Sequence, residues 1–103
     1  MRRLALSCAL LLGLAAVPAQ AVSLYAGKAK AAAVCSQCHG IRSPSAGAPF
    51  PTLAGRDAGY LKMALEQYRD KTRVSEIMNN IAGSLTDGDI ANIAAYYSNQ
   101  KSQ

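Results

Sequence analysis

Cys35-Ser36-Gln37-Cys38-His39-Gly40 is the stretch from which the rest of the chain is read. Two thiols three residues apart, followed at once by a histidine, form the signature of covalent haem attachment. Residues i, i+3 and i+4 share one face of a helical turn, so Cys35, Cys38 and His39 can address one flat object together. Each sulfur can add to a haem vinyl group, and the imidazole can then reach the iron from the proximal side. Two other readings fit less well. A structural zinc site takes about four Cys or His ligands, and beyond the N-terminal segment only Cys35, Cys38 and His39 are available. A thioredoxin-like thiol pair belongs in a β-α-β pattern, and no stretch here alternates convincingly as a strand.

The N-terminal segment reads as an export signal. Arg2 and Arg3 form a basic start, Leu4 to Val17 is an apolar run, and Ala19-Gln20-Ala21 fits a small-residue cleavage site. The run is shorter than the roughly 20 residues that a membrane-spanning helix needs. The expected division is therefore a cleaved signal peptide, 1–21, and one domain, 22–103, with no transmembrane anchor after cleavage. Cys8 leaves with the signal. Arg2-Arg3 lacks the neighbours of a twin-arginine signal, so the general secretory route is expected, which also suits haem attachment after export.

Composition narrows the function further. The formal charge is +5, of which Arg2 and Arg3 contribute two, leaving a scattered +3. No Lys/Arg cluster resembles a phosphate-binding stripe, so nucleic acid is not an expected partner. Domains near ~80 residues rarely bury enough apolar surface without a staple. With no Trp, one Phe and no disulfide framework, this one looks built around a bulky apolar filler.

The pattern predicts helices and no strands, hence an all-α fold. Ser23 can cap a helix running to Val34, where Ala29, Ala31, Ala32 and Ala33 favour helix and Gly27 permits close approach. The segment 41–59 holds Pro44, Pro49, Pro51, Gly47, Gly55 and Gly59, and is expected to be irregular. Loops of that length are usually functional or packed on something. From Tyr60 to Lys71 a helix is predicted, with Tyr60, Leu61, Ala64, Leu65 and Tyr68 on one face and Lys62, Glu66, Arg69 and Asp70 on the other. The stretch 72–84 reads as mixed, with Ser75 able to cap a short helix. Thr86 caps the last helix, whose buried stripe is Ile90, Ile93, Ala94 and Tyr97, with Tyr96 on its flank.

An iron held by His39 needs a sixth ligand, and there is no second histidine. Met63 and Met78 are the candidates, beside a lysine or an open position. Met is more often a core gap-filler than a ligand, so placement decides. Met63 sits on the polar side of a strong helix. Met78 is expected in an irregular stretch that can cross the opposite haem face, and it is the preferred ligand.

These residues in order resemble the class I cytochromes c, most of all single-haem units of the cytochrome c4 and flavocytochrome c haem-subunit type. The likeness runs through Cys35 to Gly40, then Phe50-Pro51-Thr52-Leu53-Ala54-Gly55-Arg56, then Tyr60-Leu61 and Tyr68-Arg69-Asp70. It continues with Met78 ahead of Leu85-Thr86-Asp87, and Asp89-Ile90 leading to Ile93-Ala94-Ala95-Tyr96-Tyr97. It implies a small cytochrome c fold, with the first and last helices crossing near Gly27 and Tyr96 and loops wrapping one covalent haem c. It implies thioether bonds at Cys35 and Cys38, and axial ligation by His39 and Met78. The Pro51 carbonyl would accept the imidazole N–H, and Leu53 would pack on the haem. Ala31 stands where many relatives carry a bulky aromatic, which suggests a looser helix crossing. The absence of Trp leaves the propionate contact unassigned.

A closed six-coordinate haem points to one-electron transfer rather than catalysis at iron. The expected role is a periplasmic electron carrier, not an enzyme. The alternative is the haem c subunit of an oxidoreductase, such as a flavocytochrome c sulfide dehydrogenase. A third reading, a haem ligand sensor or peroxidase, requires Met78 to dissociate easily. Expected partners are redox proteins, for instance a flavoprotein dehydrogenase or a terminal oxidase, met through a rim drawn from Lys28, Lys62, Lys71 and Arg73.

Overall fold

Side-chain caps decide where the long helices begin. The computed structural model describes residues 21–102, and among these the chain forms α1 (Leu24–Val34), α2 (Ser36–His39), α3 (Ala58–Asp70), α4 (Glu76–Gly83) and α5 (Asp87–Ser98), with no strand. All but the last residue of the expected export signal lies outside the described residues. Helix N-termini leave backbone N–H groups without intrahelical partners. Here Ser23 accepts from Ala26, Asp57 from Tyr60, Ser75 from Met78 and Thr86 from Asp89. Thr86 and Asp89 form a reciprocal capping box. The Thr86 backbone N–H holds the Asp89 carboxyl below the usual carboxylate range.

Two boundaries differ from the sequence reading. The helix α3 starts at Ala58 instead of Tyr60, because Asp57 caps it and Gly59 joins its first turn. The residues 76–83 are continuously helical, so Met78 stands in the first turn of α4 and not in an irregular stretch.

The crossing of α1 over α5 forms one side of the core. Only Gly27 and Ala31, one helical turn apart, are buried on α1. A Cβ on Gly27 would lie 2.1 Å from the Asn92 carbonyl oxygen and 2.9 Å from Tyr96 Cβ. The helices therefore meet backbone to backbone at Gly27 and Tyr96, as the resemblance implied. Ala31, where the resemblance suggested a looser crossing, is 0% exposed. Tyr96 is buried rather than flanking, because it covers Gly27. Asn92 adds a side-chain bond to the crossing, accepting the Ser23 N–H at 2.9 Å.

Leu61 of α3 joins Leu85, Ile90, Ile93 and Tyr97 in the same buried cluster, so α3 packs against α5 as well as α4. The irregular segment between α2 and α3 is tied down at both ends. The Tyr97 hydroxyl donates to the Gly40 carbonyl at 2.8 Å, and the Gly55 N–H donates to the Tyr97 carbonyl at 2.9 Å.

Candidate functional site

The single turn α2 continues almost directly from α1, because Cys35 N–H donates to the Ala31 carbonyl at 2.9 Å and His39 N–H to the Cys35 carbonyl at 3.0 Å. That turn carries Cys35, Cys38 and His39 into the lining of one cavity of about 490 Å³. Pro51, Leu53 and Met78 line the same cavity. All six residues singled out from the sequence are thus brought together. The volume lies within the ~300–1,000 Å³ range of small-molecule and cofactor sites.

The imidazole is held in one tautomer. His39 is 9% exposed, and its Nδ1 lies 2.8 Å from the Pro51 carbonyl oxygen. A carbonyl can only accept, so Nδ1 carries the proton and Nε2 keeps its lone pair free for a metal. The Phe50 ring sits 6.0 Å from the imidazole, tilted by 58°.

The thiols differ in environment. Cys38 is exposed and Cys35 is buried; burial pushes the Cys35 thiol up to about 11. A reactive redox cysteine needs the opposite shift, so the thiol-pair reading loses ground. Among the described residues no group of three or more His, Cys, Asp or Glu is arranged to hold a metal ion. Two sulfurs, one imidazole nitrogen freed by Pro51 and one thioether around a largely hydrophobic cavity fit the donor set of haem c.

The remaining wall comes from α3 and α4. The face of Tyr60, Leu61, Ala64, Leu65 and Tyr68 lines the cavity as its spacing predicted. Met63 is 42% exposed and is not part of that lining. Half-buried Met78 is positioned by the first turn of α4, where its N–H donates to Ser75 Oγ at 3.2 Å.

The four residues named for a docking rim stand in different surroundings. Lys62 pairs with Glu66 at 3.7 Å, Lys71 is the left-handed cap of α3, and Lys28 lies by a separate depression with Tyr25 on α1. Arg73 alone of the four lines the main cavity, joined there by Arg56, which the sequence reading named within the Phe50 to Arg56 stretch but gave no role. The Arg73 guanidinium lies 5.9 Å from the Tyr60 ring centre and 5.4 Å from that of Tyr68. It donates to Gln67 Oε1 from Nε at 3.3 Å and from a terminal nitrogen at 3.2 Å. Asn79 and the Tyr97 hydroxyl were also passed over. Neither carries a sequence signal, since each acts on backbone carbonyls that only the fold brings near.

The cytochrome c family model matches residues 24–101. The chain is similar to a cytochrome c4 of Pseudomonas aeruginosa, with 40% identity over 101 residues, covering 98% of this chain and 50% of that protein. It is also 40% identical over 90 residues to a thiosulfate dehydrogenase electron acceptor of Stutzerimonas stutzeri, covering 84% of this chain and 42% of that one. Among solved structures, a cytochrome c4 of Acidithiobacillus ferrooxidans superposes with a TM-score of 0.61 and 34% identity, over 76% of this chain and 52% of that chain. The chain spans about half the length of the relatives it matches here.

Proposed function

Because the chain belongs to the cytochrome c family, which implies covalently bound haem c, we propose that it is a periplasmic electron carrier holding one such haem. The observation that carries this reading is the shared cavity, lined by Cys35, Cys38, His39 and Met78 together. Cys35 and Cys38 are assigned the thioether bonds, and His39 and Met78 the axial positions on iron. When bound in this way, haem supplies a one-electron couple whose neutral sulfur ligand favours Fe(II).

The chain's own residues set the conditions for that couple. Pro51 holds the imidazole proton on Nδ1 and so presents Nε2, a contact that also raises ligand basicity. Leu53, Leu61, Leu65 and Ile81 line the cavity with apolar surface and limit water around it. If His39 and Met78 both held the iron of a bound haem, the group would supply one-electron transfer rather than a site for substrate. The similarity to a protein named as an electron acceptor of a dehydrogenase supports a carrier.

Export is supported by Arg2-Arg3, the apolar run and Ala19-Gln20-Ala21. No helix among the described residues is long and apolar enough to cross a membrane. Redox proteins are the proposed partners, a flavoprotein dehydrogenase or a terminal oxidase among them. Exposed Ile77, on the cavity lining, and exposed Val74 close by in sequence give such a partner apolar surface to cover. The same surface suits the second reading, a haem c subunit of an oxidoreductase such as a flavocytochrome c sulfide dehydrogenase. A free carrier elutes alone on size exclusion, whereas a subunit is recovered with its flavoprotein.

The visible spectrum tests the ligand assignment. The purified wild type is expected to show low-spin haem c with a weak far-red sulfur–iron band when oxidised. Met78→Ala is expected to abolish that band. Its persistence in the variant would remove Met78 from the site.

A further inference from the structure

The geometry points to Asn79 as the residue that positions Met78, by fastening the α3–α4 connection with one side chain. The inference rests on Met78 as the second axial ligand. Asn79 Nδ2 donates to the Tyr68 carbonyl at 2.8 Å and to the Arg73 carbonyl at 2.9 Å. Its Oδ1 accepts the Ser75 N–H at 3.0 Å. A side-chain amide has two N–H donors and one oxygen acceptor, so each type of group is engaged. The three partners lie in the last turn of α3, in the connecting turn and at the cap of α4.

Asn79 itself does not line the cavity, while its neighbours Met78, Ile77 and Ser75 do. It therefore acts through the backbone that carries Met78. The need for such a clamp follows from the local structure. Lys71 turns the chain at φ 70, and α4 has only eight residues, well short of the length at which a helix is stable alone. A methionine side chain has three rotatable bonds and adapts to many positions. Its competence as a ligand thus depends on where the first turn of α4 is held. Arg73 reinforces the same connection, its N–H donating to the Gln67 carbonyl at 3.2 Å.

Aspartate has the shape of asparagine but, when ionised, only accepts. Asn79→Asp would set a carboxylate against two carbonyl oxygens and open the connection without changing volume. Imidazole binding to the oxidised, haem-loaded protein reads the consequence. In that exchange the iron–sulfur bond breaks and an iron–nitrogen bond forms, with no electron transferred. The expected result for Asn79→Asp is a weakened far-red band and an apparent imidazole affinity raised about tenfold, each normalised to haem content. Asn79→Ser, which keeps one donor, is expected to show a smaller rise and serves if the aspartate variant does not accumulate.

Thr86→Ala supplies the control, because it weakens the cap of α5 and Thr86 makes no hydrogen bond to Asn79 or to its partners Tyr68, Arg73 and Ser75. It should lower thermal stability without raising imidazole affinity. Wild-type imidazole affinity in the Asn79 variants overturns the inference, as does an equal rise in Thr86→Ala. Retention of the far-red band in Met78→Ala sinks the ligand reading instead, whatever Asn79 does.

Discussion

Gly40 follows the ligand candidate His39 and adopts φ 65 and ψ −173, a region that is essentially glycine-only and costs other residues about 1–3 kcal/mol. A Cβ there would also sit 2.0 Å from the Ser43 carbonyl oxygen. Its own carbonyl accepts the Tyr97 hydroxyl, so the residue links the turn α2 to the last helix. Both the strain and the clash oppose any side chain. Gly40→Ala is expected to lose at least ~2 kcal/mol of stability and to accumulate less haem-loaded protein. Denaturant midpoints and haem content per chain check this, and a wild-type midpoint would contradict it. Gly40 is legible as part of the motif, but its reason is not. The Ser43 oxygen and the Tyr97 hydroxyl reach it only through the folded chain.

The crossing of α1 and α5 sets two effects of opposite sign against each other at Gly27. Inside a helix, replacing glycine with alanine gains about 1 kcal/mol of propensity. The added methyl would meet the Asn92 backbone oxygen at 2.1 Å, and overpacking of that kind typically costs ~1–3 kcal/mol. A backbone oxygen cannot rotate away, so the upper part of that range applies and the clash wins. Gly27→Ala is expected to destabilise by about 1–2 kcal/mol in urea unfolding; a higher midpoint would show that the helices can separate cheaply. Helix starts at Ser23 and Thr86 were readable because a capping side chain precedes a helical pattern. The start at Asp57 was masked by Gly59 beside a proline-rich stretch. The helix carrying Met78 was read as mixed because eight residues hold too little pattern to outweigh their neighbours. Its packing against α3 stabilises it, and packing is invisible in local propensity.

At the scale of the whole molecule the cavity is large relative to the domain that surrounds it. Without a filler, a cavity of about 490 Å³ leaves its apolar walls against water, and burying such surface is the dominant favourable contribution to folding. The core residues Leu61, Ile93 and Tyr97 lie on that lining, so the filler and the core are one structure. The double variant Cys35→Ala, Cys38→Ala, which removes both sulfurs proposed to hold haem, is expected to lose cooperative unfolding in denaturant titrations. Its far-UV circular dichroism should show reduced helix. A sharp, wild-type-like transition in the haem-free variant would mean that the helices pack without the filler.

Local chemistry was enough for the sequence to determine the all-helical class and the caps at Ser23, Ser75 and Thr86. Each depends on residues within a few positions of one another. It also separated Met63 from Met78, since helical phase alone turns Met63 outward. Tertiary structure decided what depends on distant parts meeting. The Pro51 carbonyl selects the His39 tautomer across twelve residues, and Tyr97 reaches Gly40 across fifty-seven. Arg73 reaches the cavity lining, whereas Lys28, Lys62 and Lys71 do not. The clamp at Asn79 exists only once α3 has turned back on α4, because its partners are backbone carbonyls and an N–H that every sequence offers and only a fold can aim.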